Sequence, residues 1–326
     1  MDLSTIELLK IYDCNILVMN LSEKNIIGLL DLAKFINLTK LNCFNNCLIS
    51  LDNLPNTLDT LNCCKNKITS LDNLLNTLKV LDCSNNCLAR LDNLPNTLNT
   101  LECSNNRLVQ LDNLPLSLVK LNCSHNKITS LDYLPNSLNI LTCSYCKITS
   151  LDNLPNSLNM LDCSSNKITY LNNLPSSLVR LNCSYNENVQ LNNLPNSLNM
   201  LKCAYCKITS LNNLPNSLNI LHCNRNEITS LNNLPFSLIE LNCSYNCIEQ
   251  LDNLPPTLTI LKCSVNRITQ LDNLPNSLIK LHCAMIKATQ LDNLPSSLTE
   301  LKCLKNKIID KNKLRRMYPN IKFEFY

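Results

Sequence analysis

The sequence predicts a repeat solenoid: a curved parallel β-sheet on a concave side, an extended and irregular convex side, and little helix outside an N-terminal cap. Three observations carry this. A 20-residue period runs without a gap from Leu41 to Ile308. Within it Leu returns at Leu41, Leu61, Leu81 and on to Leu301, and Cys follows two residues later, fourteen times from Cys43 to Cys303. Glycine occurs once in 326 residues and tryptophan not at all, a composition foreign to phosphate loops and ordinary globular turns.

Each element of the unit has a physical reason. Leu and Cys two apart alternate to one side of a short strand, and stacking buries them against the next unit. Three residues beyond Cys stands Asn, as at Asn46, Asn66, Asn86 and Asn126, where a side-chain amide can satisfy backbone groups as the chain leaves the strand. Pro at twelve of thirteen positions, Leu75 being the exception, fixes an extended return and removes a donor without a partner. A convex side without helices is thin, so the stack should curve tightly.

The unit reads L-x-x-L-x-C-x-x-N-x-I-x-x-L-D-N-L-P-x-x, as in Leu58, Leu61, Cys63, Asn66, Ile68, Leu71 and Leu74. That pattern resembles the leucine-rich repeat, with about fifteen units. The L-P-x-x-L-x-x-L stretch (Leu54, Pro55, Leu58, Leu61) is similar to the LPX subtype of secreted bacterial effectors. Some of those effectors carry a C-terminal ubiquitin-ligase domain, for which residues 309–326 leave no room. The Asn-, Ile- and Lys-rich composition, with Cys in the strand, also resembles leucine-rich repeat proteins of giant amoeba viruses (mimivirus-like). That resemblance implies a fold, with no activity attached, and a host cytoplasm as the setting.

The ends depart from the repeat, as an open hydrophobic stack requires. Residues 1–15 read as an N-terminal cap: Ser4 and Glu7 suit a capping box, with Ile6, Leu9 and Ile11 covering the first turn. Residues 16–308 hold the repeats, the first being longer, with Met19, Leu21, Ile26, Leu29 and Leu32 inward. Residues 309–326 read as a C-terminal cap, a short basic turn and a strand with Ile321, Phe323 and Phe325 inward.

A net charge of +4 is too small to name a nucleic-acid or membrane partner, and no apolar run approaches the roughly 20 residues of a membrane span. The start, MDLSTIELLK, carries Asp2 and Glu7 where a secretory leader is basic. An intracellular, cytoplasmic protein is expected.

Cys146 and Cys206 occupy the Asn slot and create two Cys-x-x-Cys motifs with Cys143 and Cys203. Three turns at about 5 Å each put the motifs roughly 15 Å apart, too far to share a zinc ion whose thiolates sit at about 2.3 Å. Parallel ladder side chains do not bring Cβ atoms to the ~3.8 Å of a disulfide, and a row of free thiols suits a reducing compartment. The cysteines are therefore read as core. Cys47, Cys64, Cys87 and Cys247 are expected at outward slots. His125, His222 and His282 are expected on strands, facing away from the ladder. No nucleophile with its base, carboxylate pair or metal-ligand cluster emerges. No catalysis, cofactor or metal is expected.

The outward strand residues form the usual binding face of such a stack. Two residues after Cys the sequence runs Asn45, Lys65, Asn85, Asn105, His125, Tyr145, Ser165, Tyr185, Tyr205, Arg225, Tyr245, Val265, Met285, turning aromatic after the fourth. Ile140, Met160, Met200, Ile220 and Ile260 stand just before the inward Leu. Such residues are enriched at interfaces. Duplication of one Tyr-bearing unit, with Tyr covering contacts between turns, would give the same column. The slot before Cys passes from Asp82, Glu102 and Asp162 to Lys202, His222, Lys262, His282 and Lys302. Along another edge run Lys67, Arg107, Lys127, Lys147, Lys167, Lys207, Arg267, Lys287 and Lys307, which would suit a nucleic acid or other phosphate-bearing partner. The convex row from Asp52 to Asp292 offsets it and counts against nucleic acid. The expected function is a monomeric, non-enzymatic module that binds a protein, a host protein if viral, through residues 140–285 of the concave face. Two turns break the pattern, at Asn188 and at Ile286 with Ala288, and distortion is expected at both.

Overall fold

The alternation of Leu and Cys becomes one three-residue strand per turn in a computed structural model, which describes residues 3–72, 74–291, 293–304, 306 and 311–325. The chain is a parallel β-solenoid of about 15 turns with very little helix. It divides into two compact units, Met1–Asn166 and Lys167–Tyr326.

The first unit opens with α1 (Leu3–Lys10) and continues through β1 (Val18–Asn20), β2 (Ile27–Asp31), β3 (Lys40–Asn42), β4 (Cys47–Asp52) and β5 (Thr60–Asn62). It proceeds through β6 (Val80–Asp82), β7 (Thr100–Glu102), β8 (Lys120–Asn122), β9 (Ile140–Thr142) and β10 (Met160–Asp162). The second unit holds β11 (Arg180–Asn182), β12 (Met200–Lys202), β13 (Ile220–His222), β14 (Glu240–Asn242) and β15 (Ile260–Lys262). Its remaining elements are β16 (Lys280–His282), β17 (Glu300–Lys302), α2 (Lys311–Met317) and β18 (Lys322–Glu324). Pairing is parallel, with Leu opposite Leu: Leu61 against Leu81, Leu201 against Leu221.

Two polar ladders hold the turns in register. Asn66 donates from Nδ2 to the carbonyls of Cys43 and Cys63, both at 3.0 Å, and its Oδ1 accepts the Leu48 N–H at 2.9 Å. Asn86, Asn106 and Asn126 repeat this. A second ladder was not expected from the sequence. The Ser or Thr two residues after Pro donates to the Leu carbonyl of the preceding turn, as Thr97 does to Leu78 at 2.8 Å and Ser217 to Leu198 at 2.7 Å. These hydroxyls satisfy carbonyls that an irregular return would leave unpaired.

The first turns differ from the expectation. Leu29, expected inward, is 44% exposed, and Leu30 is buried in its place. Here the return is itself a strand, β2 paired with β4, so inward positions step by two (Ile26, Gly28, Leu30, Leu32) and not by three. A bulge beside Gly28, which has φ 82°, leaves Ile49 unpaired and sets Leu30 opposite Leu51. The helix begins at Leu3, so Ser4 lies within it and not at its cap. Leu9 is buried, whereas Ile6 and Ile11 face solvent; Ile11 lies past the helix end, where no periodicity turns it inward.

At the far end α2 stands where a basic turn was expected, and β18 pairs with β17, Phe323 opposite Leu301. Ile321 and Phe325 are buried, but Phe323 is only half-buried and stacks on Phe325 at 5.0 Å. Ile308 lies outside the described residues.

Both irregular turns are altered. Asn188 takes φ 61° and turns outward, and Val189, one residue later, fills the core position that Ile holds elsewhere. A cleft of about 400 Å³ opens there, lined by Asn188, Gln190, Asn192, Lys207, Thr209 and Asn213 among others. At the second, Ile286 and Ala288 are both buried, and the Ile286 N–H reaches Asn306 Oδ1 at 3.0 Å.

Candidate interaction surface

From β12 to β15 each strand has a buried centre with partly exposed flanks. The first position holds Met160 in the first unit and Met200, Ile220 and Ile260 in the second, all half-buried. The third position of the second unit's strands carries Lys202, His222, Lys262, His282 and Lys302.

The aromatic column sits elsewhere than expected. Its residues lie three beyond the strand, at a turn where every one has positive φ: His125 at 55°, Tyr145 at 53°, Tyr185 at 59°, Tyr205 at 55°, Arg225 at 58°, Tyr245 at 59°, Met285 at 55°. His125 is therefore a turn residue; only His222 and His282 lie on strands. L-residues avoid this left-handed region because Cβ approaches the following carbonyl, and Gly would be the ordinary occupant. Hydrogen bonds to the next turn hold the conformation instead, as the Arg225 N–H donates to the Ser244 carbonyl at 2.9 Å.

This turn aims the side chains out and holds equivalent residues one turn apart. Strands in a sheet are spaced about 4.8 Å, close to the distance at which aromatic planes stack. In the first unit His125 and Tyr145 stack at 4.3 Å. In the second, Tyr185 and Tyr205 stack at 4.5 Å, and the Arg225 guanidinium lies 5.0 Å from the Tyr205 ring and 4.1 Å from that of Tyr245. The ring faces are thus engaged with one another, and edges and hydroxyls face solvent. Tyr145 is 56% exposed, Tyr185 52%, Tyr205 39% and Tyr245 44%. Met285, 50% exposed, ends the column.

Carboxylates on the second unit's strands are tied down. Glu240 accepts from Lys262 at 2.9 Å and lies 3.1 Å from His222 Nε2. Burial pushes its pKa up, but these two partners outweigh it and hold the carboxyl below its ordinary range. Glu300 is 3.0 Å from His282 and 3.4 Å from Lys302; the His282 hydrogen bond, against some desolvation, holds it down to about 2.

The edge cations Lys67, Arg107, Lys127, Lys147, Lys167, Lys207, Arg267 and Lys287 are exposed. Lys307 and Asp292 lie outside the described residues. Asp72, Asp132 and Asp152 are held by a Ser hydroxyl two residues earlier.

The ladder thiols are core. Burial pushes Cys43 and Cys243 up to about 12. Cys206 mimics the Asn it replaces, donating from Sγ to the Cys183 carbonyl at 3.3 Å; Cys146 does so to Cys123 at 3.5 Å. Cys64, expected outward, is buried beside Asn85 Nδ2 at 3.6 Å, because its slot faces the next turn's side chain. Cys47, Cys87 and Cys247 are intermediate, and Cys14 is exposed. Among the described residues no group of His, Cys, Asp and Glu could hold a metal ion, and no helix is long and apolar enough to cross a membrane.

No protein-family model and no curated protein matches the sequence. Solved structures do. YopM from Yersinia enterocolitica is 32% identical over 92% of this chain and 71% of its own, with a TM-score of 0.72. YopM of Yersinia pestis, described as a leucine-rich effector protein, is 27% identical over 94% of this chain and 88% of its own, at 0.79. The functional domain of InlJ from Listeria monocytogenes, which includes a cysteine ladder, is 31% identical over 85% of this chain and 66% of its own, at 0.69. With its period, its Asn ladder and its Leu-to-Leu strand register, the chain belongs to the leucine-rich repeat proteins.

Proposed function

We propose that the protein is a non-enzymatic module that binds a protein partner through the strand face and the adjoining turn column of its second unit. The observation that carries this is the stacked row Tyr185, Tyr205, Arg225 and Tyr245. Ring against ring and ring against guanidinium, the row is held rigid, so its edges offer contact area at small conformational cost. The half-buried Met200, Ile220 and Ile260 extend it, and Tyr145 with Met160 is the corresponding patch of the first unit. A partner inside a host cell fits the free-thiol ladder and the likeness to YopM, a bacterial effector. The 20-residue period and L-P-x-x-L stretches support the LPX subtype, and the composition supports a giant-virus origin.

The test is affinity capture from host-cell lysate with the native protein and with Tyr185, Tyr205 and Tyr245 changed together to Asn. Asn already occupies the slot at Asn45, Asn85 and Asn105, with φ of 53–56°, so the turn is preserved. A protein retained by the native chain and lost from the folded variant supports the reading. Equal recovery from both sinks it. Tyr145→Asn, tested alone, reports on the first unit.

A further inference from the structure

We infer that the partner segment seated on the second unit is an acidic polypeptide stretch carrying apolar side chains among its carboxylates. This rests on the proposed function and names the partner's chemistry. The second unit's strands carry six cations, Arg180, Lys202, Lys262, Lys280, Lys302 and Lys322, against three carboxylates, Glu240, Glu300 and Glu324. The first unit's main-sheet strands reverse the balance, with Lys40 and Lys120 against Asp82, Glu102 and Asp162.

The three carboxylates are already committed. Glu240 is held by His222 and Lys262, Glu300 by Lys280, His282 and Lys302, and Glu324 by Lys302. No ion pair among the described residues involves Arg180, Lys202 or Lys322, so positive charge is left for an incoming anion. It does not stand alone. Met200 precedes Lys202 by two residues, Ile220 precedes His222 and Ile260 precedes Lys262, in register on paired strands. At the first strand position Met200 and Ile220 are adjacent, and Glu240 separates them from Ile260. At the third, Asn242 separates Lys202 and His222 from Lys262, His282 and Lys302. An apolar and a basic column thus run side by side, each interrupted once, on strands about 4.8 Å apart.

A polypeptide with alternating apolar and acidic side chains complements both columns. A nucleic-acid backbone would gain from the cations, but its sugars would leave the apolar column unmatched. Complementary charge at partly exposed positions sets encounter rate and orientation, while burial of Met and Ile supplies contact.

The experiment is fluorescence anisotropy with three labelled probes: a peptide of alternating Glu and Leu, its alternating Lys and Leu counterpart, and oligo-dT. The protein is the full chain, native and in two double variants, Lys202→Glu with Lys262→Glu and Lys202→Gln with Lys262→Gln. The Gln pair avoids setting a new carboxylate beside Glu240 and serves where the reversal disturbs folding. The native chain is expected to bind the acidic peptide and not the basic one, and both variants to weaken it about tenfold or more. Absence of binding to the acidic peptide overturns the inference. So does unchanged affinity in a Gln variant of native melting temperature, or binding of oligo-dT as tight as that of the peptide. Captured partner retained by the charge variants but lost from the Tyr→Asn variant overturns this inference and leaves the proposed function standing.

Discussion

Asn126 accepts the Leu108 N–H at 2.9 Å and donates to the carbonyls of Cys123 at 2.9 Å, Cys103 at 3.1 Å and Ser124 at 3.2 Å in a space closed to water. Asn126→Ala leaves the Leu108 N–H without its partner and takes a donor from the Cys103 and Cys123 carbonyls, the former keeping Asn106 and the latter the weak Cys146 thiol. A loss of about 2 kcal/mol in urea-induced unfolding is expected. The reverse experiment exists in the chain. Cys146 holds the same slot with a weak donor and no amide oxygen, so Cys146→Asn should stabilise by about 1 kcal/mol. The turn column offers a second repair. Val265 sits at φ 56°, where a β-branched side chain is strained, and Val265→Asn should raise stability by about 1 kcal/mol, read as a higher melting temperature. The Asn ladder could be read from sequence because Asn recurs at one slot among apolar neighbours and a buried amide needs partners. The left-handed turn could not: Tyr, Arg and Val do not advertise positive φ, and only stacking on the next turn imposes it. The same gap misplaced the Tyr column on the strand.

At the scale of the element, the Cys ladder sets the response to alkali. Cys43 and Cys243 have pKa values near 12 when folded, against an ordinary 9.0. Burial raises the folded value, so the native state holds its proton where the unfolded chain releases it. The stabilising contribution is complete below about pH 9 and is lost as pH rises from there to about 12. A steep fall in unfolding midpoint across that window is expected, scaling with the number of buried thiols; replacing Cys43 and Cys243 by Ala should flatten it. Native-state alkylation followed by mass spectrometry should label Cys14 first and the ladder only on unfolding. The ladder was legible from L-x-C spacing alone. The β2–β4 sheet was not, since its alternation covers only the first turns and the repeat template overrode it, which put Leu29 where Leu30 belongs.

At the scale of the whole molecule, stacking has no natural end, and something must cover the last Leu and Cys. In the second unit that is β18 on β17, with the Leu294 N–H donating to the Tyr318 hydroxyl at 3.1 Å and Arg315 over the Phe325 ring at 5.2 Å. Removing residues 311–326 would bare the edge of β17, an open parallel strand above apolar side chains. Concentration-dependent association in light scattering is expected, together with a lower melting temperature. A truncated chain that stays monodisperse and melts like the full one would show that this segment does not close the stack. The period made the number of turns readable from sequence. The split of ring faces from ring edges in the column was not readable, because it depends on the distance between turns.

From Asn45 to Met285 the third residue beyond the main-sheet strand carries a positive φ in every turn, whether it is Asn, Lys, His, Ser, Tyr, Arg, Val or Met. The main chain is held there by its neighbours, so the side chain has little duty to the fold beyond tolerating the left-handed backbone, which a β-branched residue such as Val265 does least well. The slots therefore form a row of interchangeable characters on a fixed line. On the function proposed above, a combinatorial library confined to them would alter what the protein recognises while its architecture is copied almost unchanged.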